Sequence, residues 1–213
     1  MVNNILNFLD FNFISFNKTQ CLKRIAIFWI VSTIVIMIDQ FSFLWFVTLF
    51  AINLIVSILF IVLIIKFNNF KLSRFVCDGM FYLYLSVLFM LLSYKILTLS
   101  TNANYIILVI LLTLLFACIA SVILLTWRNI KKGAFSNTKF YKEICVGPVA
   151  GAVCGILVAS VLFQNSSQQS ALTILAIVIL LLSFIISIPS VNLMKFFLLL
   201  YIDNGKTGDG SVS

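Results

Sequence analysis

The side chains that carry most enzyme chemistry are scarce in this chain of 213 residues. It contains no histidine, which excludes histidine general bases, His-ligated haem, and zinc or copper sites that use histidine. The six acidic residues lie outside the centres of the apolar runs: Asp10, Asp39, Asp78, Glu143, Asp203 and Asp209. A buried carboxylate relay for protons or metal ions is therefore not expected.

The five cysteines provide no redox or metal motif. They are Cys21, Cys77, Cys118, Cys145 and Cys154. No two of them stand in a CxxC spacing, so a redox dithiol or an iron–sulfur cluster has no local support. Free cysteines usually pack as small apolar side chains. Together with the missing histidines and the peripheral carboxylates, this predicts no cofactor, no metal and no catalytic residue. This inventory argues against an enzyme.

The composition identifies the class of protein that these residues belong to. Hydrophobic residues make up 63% of the chain and charged residues 9%, whereas charged residues are about a quarter of a typical soluble domain. The mean hydropathy of +1.21 also excludes a disordered chain, which needs low hydrophobicity. We therefore predict an all-α integral membrane protein whose main partner is the lipid bilayer.

Six apolar stretches are long enough to cross a bilayer, whose core of about 30 Å requires roughly 20 apolar residues. They are residues 22–40, 43–65, 79–98, 105–127, 145–163 and 171–190. Each must be helical, because lipid offers no hydrogen-bond partner to a backbone group. The sequence thus predicts a six-span helical bundle within residues 22–202, an N-terminal segment at 1–21 and a disordered tail at 203–213.

The basic residues predict how the chain is threaded. All of them except Lys95 fall in alternate connections between the predicted spans. Because short loops rich in Lys and Arg stay cytoplasmic, we predict that both termini are cytoplasmic. The abundance of Ile, Phe, Asn and Lys suggests an AT-rich coding sequence, so we expect a bacterial cytoplasmic (inner) membrane.

The connection at 128–144 carries the largest group of positive charges. Its basic residues are Arg128, Lys131, Lys132, Lys139 and Lys142. They either only orient the protein or also dock a cytoplasmic partner such as an ATPase. The net charge of +8 is divided among loops at the membrane edge, so a nucleic-acid partner is not expected.

Two segments beside the predicted spans allow more than one structure. At helical spacing, Ile5–Phe16 has an apolar face formed by Leu6, Leu9, Phe13 and Phe16. This pattern favours an amphipathic helix at the membrane interface over an irregular segment. After Pro189, either the sixth helix kinks and leaves the membrane, or residues 191–202 form a second interfacial helix.

Small residues repeat every four positions in the fifth predicted span, which places them on one face of a helix. They are Gly147, Gly151, Gly155 and Ala159. In lipid, small residues favour helix packing because they allow backbones to approach closely. This face is expected to hold another helix of the same chain; the alternative is a homodimer contact or a sliding surface.

A few polar side chains lie inside the predicted spans. Asn53 is near the middle of the second span and shares a face with Ser57, so it serves either helix adhesion or one wall of a polar solute path. Lys95, near the outer end of the third span, is expected to extend to the interface, where Asp39 could pair with it.

Two non-enzymatic functions follow from this topology. The first expectation is a transport component, such as a small permease or the membrane subunit of an exporter. An ATPase would then be a separate chain, since this one has no P-loop. The alternative is a membrane-embedded immunity, accessory or scaffold protein that binds another membrane protein or a peptide through helix–helix contacts.

Overall fold

The computed structural model describes residues 2–10, 18–38, 43–66, 70–101, 105–136 and 167–208, and every regular element within them is helical. The α-helices are α1 (Val2–Asp10), α2 (Lys18–Met37), α3 (Phe43–Lys66), α4 (Phe70–Thr101), α5 (Tyr105–Lys131), α6 (Gln168–Ser187) and α7 (Asn192–Gly208). Two short 3-10 helices accompany them at Ala134–Ser136 and Ile188–Val191.

Four helical segments of the described chain are long and apolar enough to cross a membrane. Their bounds are Phe43–Val62, Arg74–Ser100, Tyr105–Lys131 and Gln168–Ile202. These segments contain the second, third, fourth and sixth predicted spans almost completely. The first predicted span, 22–40, overlaps α2, which begins and ends a few residues earlier. The fifth, 145–163, lies outside the described residues.

Helix α4 occupies the centre of the described bundle and forms its most extensive contact with α6. The Ser93 hydroxyl donates to the Ala176 carbonyl oxygen at 2.7 Å, and the Ser183 hydroxyl donates to the Ser86 carbonyl oxygen at 2.7 Å. Residue numbers therefore rise along one helix as they fall along the other, so the two helices are antiparallel.

The α4–α6 contact uses small residues at every seventh position. On α4 these are Gly79, Ser86, Ser93 and Ser100; on α6 and the following turn they are Ala176, Ser183 and Ser190. A seven-residue repeat keeps its members near one face of a helix, and small side chains let the two backbones approach. Ser93 and Ser183 then bond across the contact, whereas the Ser86 hydroxyl bonds within its own helix.

An aromatic cluster joins α2 and α3 to the central helix. The Phe28 ring on α2 lies 5.7 Å from Phe60 on α3 and 5.3 Å from Phe81 on α4, centroid to centroid. Its edge meets the ring of Tyr84 at 4.8 Å. Phe28 and Phe60 are completely buried, so this part of the bundle is packed by aromatic side chains.

The chain after α6 remains part of the bundle. Pro189 lies in the 3-10 turn Ile188–Val191, and α7 follows it directly. Phe196 of α7 packs against Phe75 and Val76 of α4, so the segment continues along α4. Helix α7 ends at Gly208, residues 209–213 lie outside the described part, and the disordered tail expected at 203–213 stays a prediction.

The N-terminal helix α1 packs one side against the bundle and leaves another side exposed. Phe8 is 0% exposed, and its ring lies 4.7 Å from that of Phe135 in the turn after α5. Leu9 is also buried, whereas Leu6 is 42% exposed. Phe8 and Leu9 therefore fill spaces at the end of the bundle, Leu6 of the predicted apolar face remains exposed, and the interfacial position of this helix stays a prediction. The rest of the predicted helix, 11–16, lies outside the described residues.

We predict that Gly79→Ala destabilises the fold. A Cβ atom at this position would lie 2.5 Å from Cγ of Leu193 and 2.7 Å from its backbone nitrogen, which cannot rotate away. Overpacking of this kind costs about 1–3 kcal/mol, measurable as a lower thermal midpoint in detergent. Ser121→Ala, at an exposed helical position, is the control and should leave the midpoint unchanged. Equal midpoints for both variants would contradict the close approach.

Candidate functional site

A hydrogen-bonded polar group lies at the centre of the described bundle. Asn53 on α3 is 1% exposed, and its Oδ1 atom accepts a hydrogen bond from the Ser32 hydroxyl of α2 at 3.1 Å. The same atom accepts from the Tyr84 hydroxyl of α4. One amide oxygen therefore connects three helices. We refer to Ser32, Asn53 and Tyr84 as the polar triad.

A second bond between α2 and α3 lies about one turn from the triad. Nε1 of Trp29 donates to the Ser57 hydroxyl at 3.3 Å. Thr48, by contrast, is exposed and donates to the carbonyl oxygen of Leu44 in its own helix at 2.8 Å. Asn53 and Ser57 thus share a face that meets α2, whereas Thr48 makes no described bond to another helix.

The chemistry of the polar triad is that of neutral hydrogen bonding. An amide and two hydroxyls are weak acids and bases, so they are unsuited to general acid–base work near neutral pH. Phe28 packs against Tyr84 beside the triad, which separates these polar atoms from the surroundings. The arrangement favours helix adhesion over the wall of a solute path, because it leaves Asn53 covered.

Charged groups gather where α4 begins. Asp78 is 7% exposed and forms ion pairs with Arg24 of α2 and with Arg74 one turn earlier, the latter at 3.3 Å between Nε and Oδ2. The Arg24 guanidinium also lies 5.2 Å from the centre of the Phe81 ring. Asp78 therefore links α2 to α4 by charge, close to the end of the apolar core.

Lys195 of α7 completes this charged cluster. It is 5% exposed, and its Nζ atom lies 4.9 Å from the centre of the Phe8 ring and 5.3 Å from that of Phe75. Burial disfavours its charge and Arg74 repels it, whereas Asp10 and Asp78 attract it. A cation between two aromatic rings connects α1, α4 and α7, so the N-terminal helix is held to the bundle by charge as well as by packing.

Lys95 is covered by protein, and its expected extension to the interface stays a prediction. It is 4% exposed, and its Nζ atom lies 5.2 Å from the centre of the Trp45 ring on α3. The side chain is covered because the first turn of α3 packs against the outer half of α4. Its expected partner Asp39 lies outside the described residues, so that pairing stays a prediction.

Only one end of the basic connection lies within the described residues, and no member of the glycine row does. Arg128 and Lys131 occupy the last turn of α5, Lys132 follows it, and all three are exposed. Nζ of Lys131 lies 5.6 Å from the Trp127 ring. The other members of both sets lie outside the described residues, namely Lys139, Lys142, Gly147, Gly151, Gly155 and Ala159.

The four-residue spacing of Arg74 and Asp78 predicts their ion pair, but the sequence did not reveal the partners of Asn53 or the pairing of Asp78 with Arg24. Tyr84 could have been noted, since a hydroxyl at the middle of an apolar run needs a partner. Arg24 was considered only as one of the basic residues that orient the chain. It lies at the cytoplasmic end of the first predicted span, however, as Asp78 lies at that of the third. Among the described residues, no group of three or more His, Cys, Asp or Glu side chains is placed to hold a metal ion.

The chain matches no family model, no curated protein and no solved structure. Its function must therefore be argued from its own residues and their geometry.

We predict that Asn53→Leu lowers stability by about 1–2 kcal/mol. The substitution removes the acceptor of both the Ser32 and Tyr84 hydroxyls in a place that water does not reach. The measurement is unfolding in mixed micelles. Thr48→Val is the matched control, because it removes a hydroxyl of the same helix that is exposed and bonds its own backbone. A similar loss in both variants would show that the triad contributes nothing special.

We predict that Asp78→Asn is more harmful, since it leaves two arginines without their shared carboxylate. Removing one partner of a buried ion pair costs about 3–5 kcal/mol. We expect a loss at the lower end of this range, because the Arg24 side chain is still 18% exposed and the Asp78 side chain 10% exposed. The unfolding assay in micelles measures this loss. Lys23→Gln, an exposed neighbour on α2, should have little effect; an equal effect would argue against the ion pair.

Proposed function

We propose that this chain is a non-catalytic, multi-pass membrane protein that acts by binding another membrane protein, and that it carries no solute through the described bundle. The observation that supports this most strongly is the burial of the polar triad. A solute path needs polar groups that face a water-filled space. The deepest amide of the described spans instead has its oxygen shared between two hydroxyls of neighbouring helices.

The outer faces of the bundle offer a surface for such a partner. Helices α3 and α5 expose most of their length, whereas α4 is largely buried. Ile55 on α3 and Val109 on α5 are examples of large apolar side chains that remain exposed. In lipid these faces are compatible with both acyl chains and another helix. A fold that is already packed around α4 can present them without rearrangement.

We also propose a six-span topology, with both termini on the cytoplasmic side of a bacterial cytoplasmic membrane. The positive-inside rule supports this orientation, because the basic residues at the starts of α2 and α4 and at the end of α5 belong to connections on one side. The first span would be α2, and the fifth would be residues 145–163, whose sequence is apolar.

A transport component remains the second proposal, because the end of α5 presents an exposed basic group. Arg128, Lys131 and Lys132 are all exposed there. Such a group could dock an acidic surface of a cytoplasmic ATPase, in which case the solute path would form in an assembly. This proposal predicts that replacing these three residues with Gln abolishes copurification of an ATPase.

The proposed function is tested by site-specific photocrosslinking in native membranes. A photoreactive residue at Ile55 or at Val109 should yield a discrete adduct with the same partner in repeated preparations, identified by mass spectrometry. The matched control is Leu88 on α4, which is completely buried and should yield no adduct. Adducts with lipid alone at both exposed positions would count against a protein partner.

A flux assay is the second test of the proposed function. Proteoliposomes that contain the purified chain should release an entrapped small polar dye no faster than protein-free vesicles. Dye release that Asn53→Leu abolishes and Thr48→Val leaves intact would overturn the proposal, because the triad would then line a path.

A further inference from the structure

A cavity of about 780 Å³ lies between α5 and α7, at the end of the bundle where the basic residues gather. On α5 its wall includes Phe116, Ile119, Ile123 and Trp127. These residues recur at helical spacing and form one stripe along the helix. The opposite wall includes Leu193, so the groove lies where α7 leaves the 3-10 turn.

The groove is apolar and open at the surface. Its walls include no charged residue, and Phe116 and Phe197 are both strongly exposed. Its volume falls in the range of about 300–1,000 Å³ that is usual for ligand sites. An occupant of this groove must therefore be largely hydrocarbon and must reach it from the side of the bundle.

The length of the groove matches one leaflet of a bilayer. From Phe116 to Trp127 the α5 stripe rises about 16 Å, close to half of a hydrocarbon core of about 30 Å. The stripe occupies the second half of α5 and ends just before the basic residues. An acyl chain of a lipid in that leaflet could therefore lie along it for its whole depth.

The charge at the end of the stripe indicates the kind of lipid. Lys131 lies one helical turn beyond Trp127 on the same stripe, is exposed, and places its Nζ atom 5.6 Å from the Trp127 ring. Arg128 is exposed in the same turn. Tryptophan prefers the level of the lipid headgroups, so these cations lie where a phosphate would be. Together, the observations require an acyl chain and a negative headgroup in one molecule.

We propose that this groove binds one anionic phospholipid from the leaflet at the basic end of the bundle. An acyl chain lies along the α5 stripe and against α7, and the phosphate is bound by Lys131 with support from Arg128. Ile55 and Val109 do not line this groove, so either proposal can fail without the other.

Quenching of Trp127 fluorescence by brominated lipids tests this site. Trp29→Phe and Trp45→Phe leave Trp127 as the single tryptophan of the full chain, which is then reconstituted in vesicles. Vesicles contain either brominated phosphatidylglycerol or brominated phosphatidylcholine as the probe. We expect stronger quenching by the anionic lipid. Lys131→Gln should weaken its relative binding about five-fold, the effect of one basic side chain near a membrane surface.

Lys132→Gln is the matched control, since it removes the same charge from a residue beyond the helix end and off the stripe. An equal effect of both substitutions would overturn the proposal, because it would indicate general attraction to a negative surface. Equal quenching by the two lipids would mean ordinary contact with bulk lipid, which also overturns it. If neither lipid quenches Trp127, no lipid lies in the groove, which overturns the proposal as well.

Native mass spectrometry provides an independent readout on the unmodified chain. After purification in mild detergent, we expect a peak that carries the mass of one anionic phospholipid and persists at collision energies that remove detergent. Ile123→Trp, which fills the groove without changing charge, should reduce this peak several-fold. A bound lipid that is unaffected by this substitution would place the lipid elsewhere and contradict the assignment.

Discussion

The close antiparallel contact between α4 and α6 determines how the other described helices can pack. Lipid gives apolar helices little reason to associate, so association depends on close backbone approach and on hydrogen bonds between helices. Both are present here, because small residues recur every seven positions and serine hydroxyls donate to carbonyl oxygens of the opposite helix. With one face of α4 occupied by α6, its remaining surface is left for α2, α3, α5 and α7.

Polar groups are distributed by depth along α4. Its middle carries neutral groups that bond to α2 and α3, whereas its first turns carry Arg74 and Asp78 and its last turns carry Lys95. This order follows from the cost of burying charge, which is greatest at the bilayer centre and smaller near the interfaces. The same order explains why the neutral triad connects helices in the middle of the bundle, whereas the charged cluster lies where α4 begins and can hold the N-terminal helix.

The turn at Pro189 has consequences for the surface of the bundle. A proline removes one backbone donor, and here the helix changes to a 3-10 turn before α7 begins. Leu193 then approaches Gly79 closely enough that no side chain fits there. On its other side, α7 leaves a groove beside α5 with apolar walls and cations near one end. The same local change therefore produces a tight contact on one face and an open space on another.

The sequence alone was sufficient for the broad class of this protein and for the approximate positions of four long apolar helices. Composition and the length of apolar runs report directly on the solvent around a chain, because a bilayer imposes both. The number of spans and the orientation of the chain remain predictions from apolar length and the distribution of basic residues. The inventory of absent residue types, such as histidine, could likewise be read without coordinates.

The tertiary structure decided which polar residues meet. Asn53 was visible as an isolated amide, but its bonds to Ser32 and Tyr84 depend on the rotation of three helices about their axes. Lys95 is covered by Trp45, and Phe8 is buried against Phe135, for the same reason. A pattern along one helix defines its faces, but the neighbour of each face depends on packing between segments far apart in the chain. Only the assembled bundle therefore reveals the triad, the charged cluster and the groove.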